Sequence, residues 1–192
     1  MIVALEGLPG AGKTTTARLL AESRGCAYVH ESSANHPFLE SFYSDIERYK
    51  LETELCFVLL HYHQYRDLRI VELGMMILDY SPVKDLVFAD LNLSGPDYDL
   101  FVTLYAHTSG SLPPPDVAVF LDLDIAHALA RIRERGRDYE RDMDPTYLQR
   151  LREAYERRHQ ELGVRVERVK VEPEWTRAEV MAAVGSAIGS PR

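Results

Sequence analysis

The chain opens on an apolar run, Ile2 to Leu5, that stops at Gly7, and the stretch Lys13 to Arg24 after it favours helix. The first unit therefore reads as strand, tight loop and helix. A second short strand is expected at Ala27 to His30. From Pro37 to Arg69 apolar residues recur at helical spacing, with Phe38, Phe42 and Tyr43 in one piece and Leu55, Val58, Leu59 and Tyr62 in the next. Asp45 and the charged turn behind it mark the break between the two pieces. Met75 to Leu78 reads as a third, buried strand ending at Asp79, and Pro82 suits the first turn of a following helix. Turn-forming residues between 92 and 115 bracket a helix around Tyr98 to His107. Val117 to Leu123 is the clearest strand, and Val164 to Val171 is expected to be the last. Between them lie two arginine-rich helical stretches, Ile125 to Arg135 and Pro145 to Gln160, joined by Gly136 to Asp144. Strands alternating with helices imply a parallel sheet wrapped by helices.

At 192 residues, of which 46% are hydrophobic, the chain has the size and composition of one domain, residues 1–192, with a substantial core. Thirty acidic against 22 basic residues give a net charge of -8, which argues against long nucleic acid polymers as partners but leaves small anions open wherever positive charge is concentrated. Cys26 and Cys56 offer no disulfide framework, read as buried hydrophobes and fit a reducing compartment. Met1 to Glu6 is too short for a leader or a membrane span, so a cytoplasmic location is expected.

The residues Gly7, Leu8, Pro9, Gly10, Ala11, Gly12, Lys13 and Thr14 fit G-x-x-x-x-G-K-[ST], between an expected strand and an expected helix. In such a loop, backbone N–H groups turn inward around phosphate oxygens and the helix start adds partial positive charge. Lys13 reaches the outer phosphates, Thr14 holds Mg2+, and Thr15 lies beside them. The motif implies a bound nucleoside triphosphate, ATP or another, but is shared by ATPases, GTPases and small-molecule kinases. A second feature narrows this. Arg131, Arg133, Arg135 and Arg137 recur at every second residue around Gly136, an arrangement able to wrap an anion. Phosphoryl transfer needs positive charge on the transferring group, and arginines on a closing lid, about residues 133–144, would supply it while excluding water.

Taken with the loop, Glu31 and the run His36-Pro37-Phe38-Leu39-Glu40-Ser41-Phe42-Tyr43 resemble the acceptor side of the deoxynucleoside kinase family. So do Arg131-Ile132-Arg133-Glu134-Arg135-Gly136-Arg137, then Glu140 and Tyr147-Leu148, and Asp79-Tyr80-Ser81 after the third strand. The resemblance spans about residues 1–160 and implies transfer of the terminal phosphoryl group of ATP to the 5′-hydroxyl of a deoxynucleoside. It also implies a three-layer fold with about five parallel strands and an arginine-rich helical lid, and a homodimer. By this similarity Glu31 is the general base, and Tyr43 and Glu140 hold the sugar 3′-hydroxyl. Arg135 and Arg137 clamp phosphates, Arg131 lies against the donor base, and Asp79 with Thr14 serves Mg2+ directly or through water. Leu39, Glu54, Asp85 and Phe88 line the nucleoside pocket, with Glu54 where the family places a base-reading Gln and His61 where some members place an Arg.

Two departures carry consequences. Tyr80 stands where the family has an arginine, so Glu31 is expected to titrate closer to neutrality and transfer to be slower. An ionised Glu54 would only accept hydrogen bonds, which favours guanine; its alternative role is an exposed partner of Lys50. Two competing functions remain. A monophosphate kinase of the thymidylate kind would need an acceptor-side arginine, which Arg66 and Arg69 could supply only if the long helix turns them inward; a non-catalytic nucleotide binder would account for the missing arginine.

Overall fold

A computed structural model describes residues 1–31, 33, 36–66, 74–163 and 165–189. Arg69 and Val164 lie outside the described residues. Five strands, β1 (Ile2–Gly7), β2 (Ala27–Val29), β3 (Met76–Leu78), β4 (Val117–Asp122) and β5 (Val166–Lys170), form one sheet in the order β2-β3-β1-β4-β5. Every pairing is parallel, with Val3 opposite Ile77 on one side and Val117 on the other. The helices are α1 (Lys13–Arg24), α2 (Leu39–Ser44), α3 (Ile46–Arg66), α4 (Pro82–Asn92), α5 (Gly95–His107), α6 (Ile125–Arg135), α7 (Pro145–Leu162) and α8 (Arg177–Ile188).

A parallel sheet has both faces covered, and its central strands are for that reason apolar apart from Glu6 and Asp122 near their carboxyl ends. Val3, Leu5 and Val119 pack with Leu20 of α1 and Val184 of α8, while Phe120 meets Tyr155 and His159 of α7 edge-on at 5.4 and 6.0 Å. α4 packs on α7 and α3. The expected strands and helices are all present, and Asp45 does end α2. Two expectations are corrected. Cys26 and Cys56 are free and only half-buried. The lid is less regular than a helix: α6 stops at Gly136, in the left-handed conformation at φ 73°, and the chain continues as a 3-10 turn over Asp138–Glu140.

Because all strands run the same way, their carboxyl ends share one edge, and the loops leaving β1, β2 and β3 converge there. Gly7 ends β1, Glu31 follows β2, and Asp79 follows β3. Topology alone thus gathers three of the expected site residues.

Candidate active site

Those loops enclose one side of a cavity of about 390 Å3, closed on the other by α2, α3, α4 and the segment after α6. The phosphate loop forms its floor. Gly7 and Gly10 adopt positive φ, 139° and 82°, and a Cβ on either would come within 2.7 Å of the Leu121 carbonyl or 2.6 Å of the Ala128 carbonyl. No other residue fits there without moving backbone. Gly7, Pro9, Gly10, Gly12, Lys13, Thr14 and Thr15 line the cavity. Leu8 and Ala11 do not: their side chains are buried in the core, and they shape the loop from beneath, with Ala11 N–H donating to the Leu8 carbonyl at 3.1 Å. The Lys13 ammonium donates to the carbonyls of Gly7 and Leu8 at 2.8 and 3.0 Å. Burial, and then the nearby Lys84, lower its pKa to about 8.

Opposite the loop stands Glu31. Its backbone N–H donates to Asp79 Oδ1 at 2.7 Å, which fixes the turn after β2 against the end of β3. Its side chain, 16% exposed, bonds the Lys84 ammonium and lies 3.3 Å from His61 Nε2. Burial alone would raise the carboxyl's pKa; the Lys84 charge and the neighbouring His61 outweigh it and hold Glu31 well below the usual carboxylate range. This overturns the expectation that Glu31, lacking an arginine at Tyr80, titrates closer to neutrality. The cation is present but comes from elsewhere.

Tyr80 does not line the cavity. It is 1% exposed, stacked on the His61 ring at 4.3 Å and edge-on to Tyr65 at 6.2 Å, in a cluster with Ile2, Met76 and Leu78. His61 in turn bonds Asp85 Oδ1 at 2.6 Å. Burial opposes charging the ring, yet Asp85 and Glu31 raise its pKa to about 9, so His61 is an imidazolium held between two carboxylates.

Glu54 is buried rather than exposed, and Lys50 pairs with Glu47 at 2.6 Å instead. Burial raises Glu54 to about 8 despite the hydrogen bond from Asn92 Nδ2 at 2.7 Å. It is therefore neutral at pH 7, a donor as well as an acceptor, and the guanine preference expected of an ionised carboxylate loses its basis. Leu39, Tyr43, Asp85, Phe88 and Glu140 all line the same cavity, as expected. Tyr43 stacks on Tyr139 at 5.5 Å, and Glu140 accepts from Arg135 and, at 3.3 Å, from Arg137. Arg131 lines the rim. Arg66 lies against the Tyr62 ring and does not reach the cavity, so the acceptor side gains no arginine from it.

Asp79 is buried with both oxygens engaged: Oδ2 accepts from the Tyr28 hydroxyl at 2.9 Å and meets His30 Nδ1 at 2.9 Å, and Oδ1 takes the Glu31 N–H. Thr14, by contrast, is exposed at the start of α1. Sequence reasoning missed Lys84, Phe57 and Asn92. Lys84 could have been found from Phe88, since residues four apart on α4 share a face.

A family model, deoxynucleoside kinase, matches residues 3–188. The chain belongs to the deoxynucleoside kinase family. This kinase is 31% identical over 157 residues to the deoxyguanosine kinase of Bacillus subtilis (strain 168), covering 80% of this chain and 76% of that protein. It is 32% identical over 158 residues to the deoxyadenosine kinase of Dictyostelium discoideum, covering 80% and 64%. Its fold is shared with the deoxyadenosine kinase from M. mycoides solved with bound dATP, at a TM-score of 0.81 and 21% identity over 99% of this chain and 100% of that one. As a family member it is a phosphotransferase acting on deoxynucleosides.

Proposed function

We propose that this kinase transfers the γ-phosphoryl group of ATP to the 5′-hydroxyl of a deoxynucleoside bound in the cavity described above. One observation carries the reading: a single cavity holds the phosphate loop with Lys13 on one wall and, on the other, Glu31 as a carboxylate kept ionised by two cations. Glu31 takes the proton of the attacking hydroxyl. Lys13 holds the outer phosphates, and the backbone N–H groups of residues 10–15 wrap them. Arg135 and Arg137 serve the transferring group from the segment 133–144, which acts as the lid, and Arg131 lies against the donor base. Tyr43 and Glu140 hold the sugar, and Leu39 and Phe88 close over the nucleoside. Glu54 and Asp85 read the edge of the base, Glu54 as a neutral donor and acceptor, Asp85 from its place beside His61.

The donor set fits Mg2+ in a limited way. Mg2+ takes one or two protein ligands and completes its shell with phosphate oxygens and water. Thr14 supplies a free hydroxyl, whereas Asp79, with both oxygens occupied, serves through water. When bound, the ion neutralises charge on the β- and γ-phosphates.

Residues 1–192 act as one domain. Leu59 on α3 and Leu100 on α5, each 51% exposed, support a homodimer through these helices. Among the described residues no helix is long and apolar enough to cross a membrane, and the unpaired cysteines support a reducing, cytoplasmic setting. The net charge of -8 supports small-molecule substrates over nucleic acid polymers. A coupled ADP-release assay across deoxynucleosides and their monophosphates tests the reading. Turnover with a deoxynucleoside is expected; turnover with monophosphates alone would replace it by a monophosphate kinase.

A further inference from the structure

We infer that Lys84 is the positioning cation of the acceptor site, fixing the Glu31 carboxylate towards the 5′-hydroxyl and adding positive charge where phosphate arrives. The inference rests on the function proposed above. Lys84 sits in the first turn of α4, whose start is pinned to the end of β3: Pro82 opens the helix, and the Ser81 hydroxyl accepts from Val83 N–H at 3.1 Å. The backbone carrying Lys84 is therefore held directly behind Asp79 and within reach of the β2 end. Its ammonium bonds Glu31 Oε1, and it lies 5.2 Å from the Phe57 ring centre and 5.4 Å from that of Phe88, two rings that line the cavity. An exposed lysine swings freely and contributes little. This one is 15% exposed and flanked by aromatic faces that attract cations, so its head group is delivered to one place.

Apart from Arg131, the other cations near the cavity each have partners of their own, although His61 also lies 3.3 Å from Glu31. His61 is tied to Asp85 at 2.6 Å, Arg135 and Arg137 are on Glu140, and Lys13 folds over the phosphate loop. Tyr80, at the position where the family pattern has an arginine, is packed against His61 and Tyr65 away from the cavity and cannot stand in. During transfer the 5′-oxygen forms its bond to the γ-phosphorus while its proton passes to Glu31. The bond from that phosphorus to the bridging oxygen breaks, and ADP leaves. Lys84 takes no part in the proton transfer; it aims the carboxylate and offsets negative charge gathering between Glu31 and the phosphoryl group.

The test compares wild type with Lys84→Met, Lys84→Gln and Lys84→Arg in the full chain, with folding checked by circular dichroism. Both neutral variants should lose about 100-fold in kcat, with the KM for ATP within about 3-fold of wild type, while Lys84→Arg recovers most of the loss. Binding of a 5′-deoxy analogue of the best nucleoside, which lacks the reacting hydroxyl, should be nearly unchanged. A neutral variant with near wild-type kcat overturns the inference, as does a loss of analogue binding as large as the loss of kcat, which would make Lys84 a structural part of the pocket. Should Lys84→Met fail to fold, Lys84→Gln carries the same comparison. A wild-type chain that phosphorylates no deoxynucleoside overturns the function itself, and the inference with it; an active wild type with indifferent variants overturns the inference alone.

Discussion

Glu31 is a carboxylate between an ammonium and an imidazolium, and that setting makes it a weak base that is always available. Glu31→Gln keeps size and hydrogen bonding but removes the proton acceptor, so kcat should fall by about 100-fold or more while ATP affinity, measured by calorimetry, stays the same. Collapse of ATP affinity along with turnover would move Glu31 into the donor site. Glu54 makes the opposite case, a carboxyl kept neutral. Its folded pKa, about 8, lies above the ordinary value of 4.5, so between those values the native state holds a proton that the unfolded chain releases. Stability attributable to Glu54 is therefore fully present below pH 4.5, falls as pH rises and is gone above about 8. Glu54→Gln has no such slope: thermal unfolding at pH 5 and pH 9 should show wild type losing ground to the variant, on the order of a few kcal/mol. Parallel pH profiles would show that Glu54 is ionised in the folded protein.

At the scale of elements, the segment after α6 joins acceptor and donor. Arg135 ends the helix, Gly136 turns the chain through a left-handed conformation, and Glu140 comes back to meet Arg135 and Arg137. A single arginine thus braces the carboxylate proposed to hold the sugar and lines the cavity together with the phosphate loop. Arg135→Ala should lower kcat by about 100-fold and raise the nucleoside KM as well, whereas a pure phosphate contact would change kcat alone. Kinetics with an unchanged nucleoside KM would separate Arg135 from Glu140. The elements other than α8, for which no helix was expected, were legible because their signals are local. The phosphate loop declares itself by glycine and lysine spacing, Asp45 breaks the helical pattern, and Pro82 and Gly136 punctuate helix ends. Charge states and facing directions were not legible, because they depend on what other elements bring. Tyr80 follows β3 just as the motif requires, yet His61 and Tyr65 of α3 cover it. Glu54 looks ionisable on a helix until α4 supplies Asn92 and the burial around it, and Lys84 looks like any surface lysine until β2 delivers Glu31.

The whole molecule carries a net charge of -8, and its cavity gathers Lys13, Lys84, Arg131, Arg135 and Arg137 beside Glu31, Asp79, Asp85 and Glu140, so an incoming polyanion meets cations concentrated among carboxylates. Concentrating cations there costs stability before the nucleotide arrives. The Lys13 pKa falls to about 8, so between that value and the ordinary 10.5 the folded state binds fewer protons than the unfolded chain. At pH 7 the protein thus carries the burden of a charged, desolvated ammonium that is relieved only as pH rises through that window. Lys13→Ala removes the burden along with the function. Without nucleotide its Tm at pH 7 should equal or exceed that of wild type, even though the hydrogen bonds to the Gly7 and Leu8 carbonyls are lost. Adding ATP and Mg2+ separates the two proteins. At a ligand concentration about 100 times Kd, wild type gains roughly 2.7 kcal/mol, a rise in Tm of about 5–10 °C for a chain of this size. The variant should show almost none of that rise and no detectable transfer, since the outer phosphates have lost their point charge in a site poor in water. Scanning calorimetry with and without nucleotide decides the matter. A variant that keeps the wild-type shift would place the nucleotide's main contacts away from Lys13, and one that is much less stable without nucleotide would show that Lys13 holds the phosphate loop together.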